Sequence, residues 1–274
     1  MLDPIRIHSA LAEAMSARSY DTMTPVQEAV LEIEQPDADL LVSAQTGSGK
    51  TLAFGLSIAA TLLKKNAEFG RPDLPFALII APTRELALQV RKELEWVYAR
   101  TKAQFASCVG GMDPRAERRI LESGAHIVVG TPGRLRDHIE RGALSLSDIK
   151  AVVLDEADEM LDMGFREDLT FILEKAPVNR RTLLFSATVP IQIAKMARTY
   201  QKEAIRISVS SKKTQHLDIN YHAIKIQPSD RDKAIINLLR YHDVSGSIVF
   251  CNTRAAVTHL ASRLNNRGFS VVAL

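Results

Sequence analysis

Lys50 and Thr51 close an unusual turn. In LVSAQTGSGKTLAFGLSIAATLL (Leu41 to Leu63) two apolar runs flank a polar segment carrying Gly47 and Gly49. A plain strand-to-helix turn accounts for the glycines but not for Lys-Thr. A phosphate-binding loop accounts for all four, because its backbone N–H groups turn toward one phosphate at a helix N-terminus. In that reading Ala44, Thr46, Gly47, Ser48 and Gly49 form the cradle. Lys50 neutralises the β- and γ-phosphates, and the Thr51 hydroxyl ligates Mg²⁺. Ala44 stands where the generic GxxxxGK[ST] pattern has its first glycine.

A second pair of groups has the matching chemistry. AVVLDEADEML (from Ala151) delivers two adjacent carboxylates directly after an apolar run. Asp155 is suited to the hydrated metal, and Glu156 to orienting and deprotonating an attacking water. An acidic first helical turn is the structural alternative. With the phosphate loop present, the catalytic reading of Glu156, Lys50 and Asp155 is favoured.

Such groups need rigid elements to hold them, and the chain supplies a repeating pattern. Strand candidates are DLLVSA (from Asp39), FALIIAP (Phe76), FASCVG (Phe105), HIVVGTP (His126), AVVLDE (Ala151), TLLFSAT (Thr182) and AIRISV (Ala204). Most are continuously apolar, as strands covered on both faces of a parallel sheet must be. Helical patterns lie between them at Leu52–Lys65, Arg84–Arg100, Pro114–Ser123 and Ile191–Tyr200. The alternation predicts an α/β fold, a doubly wound and mostly parallel sheet that places ligands beyond the carboxyl ends of its strands. The polar motifs all directly follow a strand candidate.

Near Ser208 the composition turns polar and Ser/Lys-rich. This predicts a first domain over 1–208, a linker over 209–216 and a partial second α/β domain over 217–274. The second part offers DINYHAIKI, a helix at Asp230–His242, SIVFCN, a helix at Arg254–Asn266, and FSVVAL. The 274 residues are 46% hydrophobic, enough for a large core. The net charge of +3 neither requires nor excludes nucleic acid, which depends on local basic clusters. No apolar run is long enough to span a membrane, and the N-terminus lacks a signal-peptide apolar core. Cys108 and Cys251, in apolar strand-like runs, read as buried free thiols of a reducing, cytoplasmic compartment.

Taken together, the motifs resemble those of the DEAD-box RNA helicases. Asp155-Glu156-Ala157-Asp158 is the family's naming tetrapeptide, and AQTGSGKT matches its motif I with the alanine included. SYDTMTPVQ resembles the Q motif, which implies that Gln27 reads the adenine edge while Tyr20 and Pro25 shape its pocket. PTREL (Pro82–Leu86), Gly110-Gly111 and TPGR (Thr131–Arg134) resemble motif Ia, the GG motif and motif Ib. SAT (Ser186–Thr188) and IVFCNTR (Ile248–Arg254) resemble motifs III and IV. The resemblance implies a RecA-like P-loop domain that uses ATP and Mg²⁺ and unwinds RNA locally. It implies that Asp158, Ser186 and Thr188 couple nucleotide state to RNA grip. It also implies RNA backbone contacts, without base reading, from Pro82, Thr83, Arg84, Gly110, Gly111, Thr131, Gly133 and Arg134; the physics of phosphate and sugar recognition agrees. For Arg84 and Arg134 the alternatives are a solvated helix start or an internal salt bridge. MLDMGF (Met160–Phe165) is either a surface for the second domain or plain core.

The family closes its ATP site with arginines from a second domain, and its later motifs do not occur before Leu274. The expectation is a chain that binds adenine nucleotide, hydrolyses it slowly and unwinds nothing alone. A half-built second domain exposes apolar faces, so residues after about Ser210 are expected to be mobile or packed on a second copy. Leu2 stands where the family has an aromatic residue, and Ser19 where it has glycine, which predicts weakened adenine affinity.

Overall fold

A computed structural model describes residues 7–63, 68–209, 220–243 and 245–273. The chain divides into two compact units, Met1–Lys213 and Thr214–Leu274.

The first unit begins with two short helices, α1 (Ser9–Ser16) and α2 (Pro25–Leu31). Seven strands follow with their crossover helices: β1 (Leu40–Ser43), α3 (Lys50–Leu63), β2 (Ala77–Ile80), α4 (Arg84–Val97), β3 (Phe105–Cys108), α5 (Pro114–Ser123), β4 (Ile127–Gly130), α6 (Pro132–Glu140), β5 (Ala151–Leu154), α7 (Ala157–Asp162), α8 (Arg166–Lys175), β6 (Arg181–Ser186), α9 (Ile191–Tyr200) and β7 (Ile205–Ser208). The seven apolar runs of the sequence are these seven strands. They form one sheet in the order β3-β4-β2-β5-β6-β1-β7, and every pairing is parallel.

The continuous apolarity has a direct cause. Ala77 and Ile79 of β2, with Ala151 and Val153 of β5, face a core shared with α1 to α4. Leu78, Ile80, Val152 and Leu154 face a second core with α6 to α9. Successive side chains point to opposite faces, so a strand with helices on both sides has no solvent-facing position to make polar. Each fully buried Leu or Ile contributes about 1.5–3 kcal/mol, which makes the sheet a stiff plate.

One helix of the first unit is shorter than in the sequence reading. α4 ends at Val97 rather than Arg100, because Tyr98 leaves helical geometry and its hydroxyl donates to the Gly55 carbonyl at 2.7 Å. The last two residues of the helix predicted over Leu52–Lys65 lie outside the described residues, as do Leu2, residues 210–216 of the predicted linker and 217–219 of the predicted second domain.

Among its described residues the second unit contains a 3₁₀ turn (Pro228–Asp230) and two helices, α10 (Arg231–His242) and α11 (Arg254–Asn265). They pack through Ile236, Leu260 and Leu264. None of the described residues of DINYHAIKI, SIVFCN and FSVVAL forms a strand here. A parallel strand needs a hydrogen-bonded neighbour and helical cover on both faces, and two helices around a small cluster provide neither. Ile248 and Phe250 are accordingly exposed, and Cys251 is half-buried rather than buried like Cys108.

Candidate functional site

The sheet order brings the motifs together along one edge. β6 lies between β1, which feeds the phosphate loop, and β5, which feeds Asp155 and Glu156. Ser43 pairs with Ser186, and Leu154 pairs with Leu184. The chain therefore leaves all three strands at the same level, with SAT between the loop and the carboxylates.

Gly47 and Gly49 adopt φ of +77° and +87°, a region costly for residues with a Cβ. At Gly49 a Cβ would also lie 2.5 Å from Gln27 Nε2. The turn delivers Lys50 into a buried polar knot. Its Nζ donates to the Ala44 carbonyl at 3.1 Å and to Glu156 Oε1 at 2.8 Å, and the Thr46 hydroxyl donates to the same Oε1 at 3.3 Å. The side chains of Lys50 and Glu156 are 5% and 9% exposed. The Ser48 hydroxyl donates to the Gln45 carbonyl inside the loop. Glu156 itself caps α7 in the left-handed conformation, φ +50°, which directs its carboxylate to the loop at the cost of local strain.

Asp155 is buried beside this pair and accepts from the Glu156 amide at 3.1 Å. Burial pushes its carboxyl up to about 7; Lys50 pulls it down, and Glu156 adds to the rise. A buried carboxyl with a second carboxylate next to it gains most from a nearby cation. Asp155 and the Thr51 hydroxyl are hard oxygen donors of the kind Mg²⁺ takes from proteins, with phosphates and water completing the shell. Thr51 is half-buried at the start of α3. The residues fit that ion. Among the described residues there is no cluster of three or more His, Cys, Asp or Glu that would hold a metal by itself.

Asp158 belongs to a different network. Its Oδ2 accepts from the Thr188 amide at 2.9 Å and the Thr188 hydroxyl at 2.8 Å, and its own amide donates to Ser186 Oγ at 3.3 Å. Burial raises the Asp158 pKa, but the hydrogen bonds from Ser186 and Thr188 outweigh it and hold the carboxylate below its ordinary range.

Gln27 is fully buried. Its Oε1 accepts from the Thr24 amide and the Tyr20 hydroxyl, and its Nε2 donates to the Gly49 carbonyl at 3.1 Å. Thr24 and Gln27 form a capping box at α2, with Pro25 at its first turn. Gln27 thus ties the Q segment to the last peptide of the phosphate loop, a contact that spacing alone did not reveal.

The other half of the sheet edge carries the remaining motifs. Pro82, Thr83 and Arg84 follow β2, Gly110 and Gly111 follow β3, and Thr131, Gly133 and Arg134 lie at β4 and the start of α6. These three strands are adjacent. The Thr83 oxygen accepts from the Leu86 amide, capping α4, and Arg84 Nη1 donates to the Gly111 carbonyl at 3.4 Å. Arg134 points inward. Its Nη1 donates to Glu117 Oε2 at 3.0 Å and to the Met112 carbonyl at 3.3 Å. Glu117 and His138, neither of them singled out from the sequence, are both buried in this contact. The available signal was Glu117 on a helix otherwise studded with arginines. Within MLDMGF, Met160 is core and Met163 is exposed.

A family model described as DEAD/DEAH box helicase matches residues 24–196. The DEAD-box ATP-dependent RNA helicase CshA of Geobacillus kaustophilus (strain HTA426) is 38% identical over 258 residues, covering 94% of this chain and 54% of that protein. The CshA of Bacillus subtilis (strain 168) is 37% identical over 264 residues, covering 96% and 52%. The chain thus spans about half the length of these curated relatives. A crystal structure of a DEAD box protein from Methanococcus jannaschii is similar at a TM-score of 0.67 with 33% identity, covering 98% of this chain and 70% of that one. The family model covers more than half of the chain, and the chain belongs to the DEAD/DEAH box helicase family.

Proposed function

We propose that this chain is the nucleotide-handling and RNA-gripping part of a cytoplasmic ATP-dependent RNA helicase. In this reading 1–208 is the first RecA-like domain, 209–216 the linker and 217–274 the beginning of the second. The observation that carries the proposal is the knot of Lys50, Thr46 and Glu156 beside Asp155 at the end of the phosphate loop.

Those groups have separable tasks. Lys50 now neutralises Glu156; triphosphate oxygens compete for the same ammonium, and once Lys50 turns to them Glu156 is released. A freed carboxylate at the strand end can then orient a water and take its proton. Asp155 and Thr51 would hold Mg²⁺, which would supply charge neutralisation to the bound phosphates. Gln27 and Tyr20 connect adenine recognition to the Gly49 peptide. Asp158, Ser186 and Thr188 connect the carboxylate strand to the neighbouring strand end. RNA backbone lies on the β2, β4 and β3 side, against Pro82, Thr83, Arg84, Gly110, Gly111, Thr131 and Gly133, without base reading. Exposed Ile248, Phe250 and Val272 of the second unit favour association with a second copy.

The test is a titration of a fluorescent ADP analogue with Mg²⁺ into the wild-type chain and a Lys50→Gln variant, with ADP and GDP as competitors. The expected result is wild-type binding that ADP displaces and GDP does not, with loss in the variant. Equal binding by both proteins, or displacement by GDP, overturns the assignment.

A further inference from the structure

The carboxylate of Glu117 collects three donors from two separate segments. Oε1 accepts from the Val109 amide at 2.8 Å, and Oε2 accepts from Arg134 at 3.0 Å and from His138 Nε2–H at 2.7 Å. The Glu117 and His138 side chains are 3% and 2% exposed, and that of Arg134 is 15% exposed. Val109 immediately precedes the Gly110-Gly111 turn. Arg134 and His138 stand one turn apart on the same face of α6.

The rest of the turn is braced from both sides. Arg134 reaches across to the Met112 carbonyl, and Arg84 reaches the Gly111 carbonyl. None of these contacts uses the amides of Gly110 or Gly111. The Thr131 hydroxyl is likewise left out of the helix cap. The bracing spends side chains and a carboxylate, and these contacts leave the Gly110 and Gly111 amides unspent.

We propose that Glu117 is a positioning residue for RNA binding, and that it holds Arg134 as an internal strut rather than a phosphate ligand. This rests on the RNA reading above. A half-buried guanidinium whose Nη1 already donates to a carboxylate and a carbonyl has less to gain from a phosphate, since leaving would strand the buried Glu117 with uncompensated charge. What the pair provides is geometry. It fixes the spacing between the GG turn and the first turn of α6, so that amides and the Thr131 hydroxyl meet successive phosphates together. A flexible turn would have to be ordered during binding instead.

Salt dependence separates a strut from a ligand. Each phosphate contact made by a charged side chain adds about 0.7 to the slope of log K against log salt for a single strand. The wild-type chain, Glu117→Gln, Arg134→Gln and the double variant are titrated with a labelled oligouridylate in Mg²⁺-ADP at several salt concentrations. Thermal melts on the same samples confirm folding. The expected result is a loss of roughly tenfold in each single variant, about the value of one well-made charged contact. The slope stays at the wild-type value in Arg134→Gln, and the double variant is no worse than either single one. A slope lowered by about 0.7 in Arg134→Gln makes Arg134 a phosphate ligand and overturns the proposal. Wild-type affinity in Glu117→Gln overturns it equally. A wild-type chain that takes no RNA removes the RNA reading and the positioning role together, whereas the two preceding outcomes leave the RNA reading standing.

Discussion

Replacing Lys50 by alanine is expected to destabilise the first unit before any nucleotide is considered. Lys50 Nζ lies 2.8 Å from Glu156 Oε1, and the side chains are 5% and 9% exposed. Truncation leaves Glu156 buried with the Thr46 hydroxyl at 3.3 Å as its side-chain donor. Breaking a buried pair by removing one partner costs about 3–5 kcal/mol, because the remaining charge is uncompensated. Some water reaches Glu156, so the lower end, about 3 kcal/mol, is the working figure. For a unit of this size that lowers Tm by about 6–12 °C. Glu156→Gln keeps an acceptor for Lys50, whose ammonium still has Asp155 beside it, and is expected to cost only about 1–2 kcal/mol. The double variant should regain part of what Lys50→Ala loses, giving a coupling of about 2 kcal/mol. Urea unfolding read at Trp96, the chain's one tryptophan, isolates the first unit. Trp96 lies in α4, with the Arg18 guanidinium 4.9 Å above its ring. A Lys50→Ala midpoint indistinguishable from wild type, or strictly additive variants, would refute the reasoning. The stability effect also bears on the ADP test, which is why Lys50→Gln is the variant used there.

Gly49→Ala places a Cβ at φ +87° and 2.5 Å from Gln27 Nε2, so it is expected to destabilise by about 1–3 kcal/mol and to weaken the ADP analogue at least tenfold; unchanged affinity would show that the loop and Gln27 move apart without cost. His126 is buried as neutral imidazole: Nδ1 accepts from the Gln104 amide, Nε2–H donates to the Gly70 carbonyl, and burial lowers its pKa below 6.5. The unfolded chain binds that proton more readily, so His126 costs stability as pH falls below 6.5. A His126→Gln variant whose urea midpoint keeps the full acid slope would contradict this. Asp155 carries the opposite sign. Its pKa, raised by burial to about 7, makes the folded state hold the proton more tightly, so its contribution falls as pH climbs from about 4 to about 7. Asp155→Asn should therefore be more stable than wild type at pH 8 without Mg²⁺, by thermal melt; a less stable variant refutes the assignment.

How much of this was legible in the sequence depends on the range of the interaction. The seven strands were, because burial on both faces forces continuous apolar runs such as Ala77–Ile80 and Ile127–Gly130. The phosphate loop was also visible, since its glycines, lysine and threonine act within one turn. The pairing of Lys50 with Glu156 was not, because it joins residues 106 positions apart and depends on the strand order. Gln27 shows the same limit. Its glutamine side chain marks a capping box locally, but only the packing of α2 beside the loop brings it to Gly49. In the second unit the opposite happened. SIVFCN has the apolar content of a strand, yet strand formation requires partners that composition cannot guarantee, and Phe250 stands 90% exposed.

The sheet order separates the two groups of motifs at one end of the strands. β1, β6 and β5 end in the phosphate loop, SAT and the two carboxylates, while β2, β4 and β3 end in the turns assigned to RNA. β2 and β5 are hydrogen-bonded neighbours in register from Ala77–Ala151 to Ile80–Leu154, so the two halves meet inside one ladder. Burial of nearly every side chain in those strands leaves little freedom for one half to shift alone. A change at the carboxylates must therefore travel through groups at the edge that have alternatives. The Lys50–Glu156 pair is one, since phosphate competes for the ammonium. The Asp158–Thr188 pair is another, since it ends β6's exit turn on an exposed residue rather than in the core. Under the proposed function, the plate positions and these few polar contacts at its rim are where a bound nucleotide would be felt.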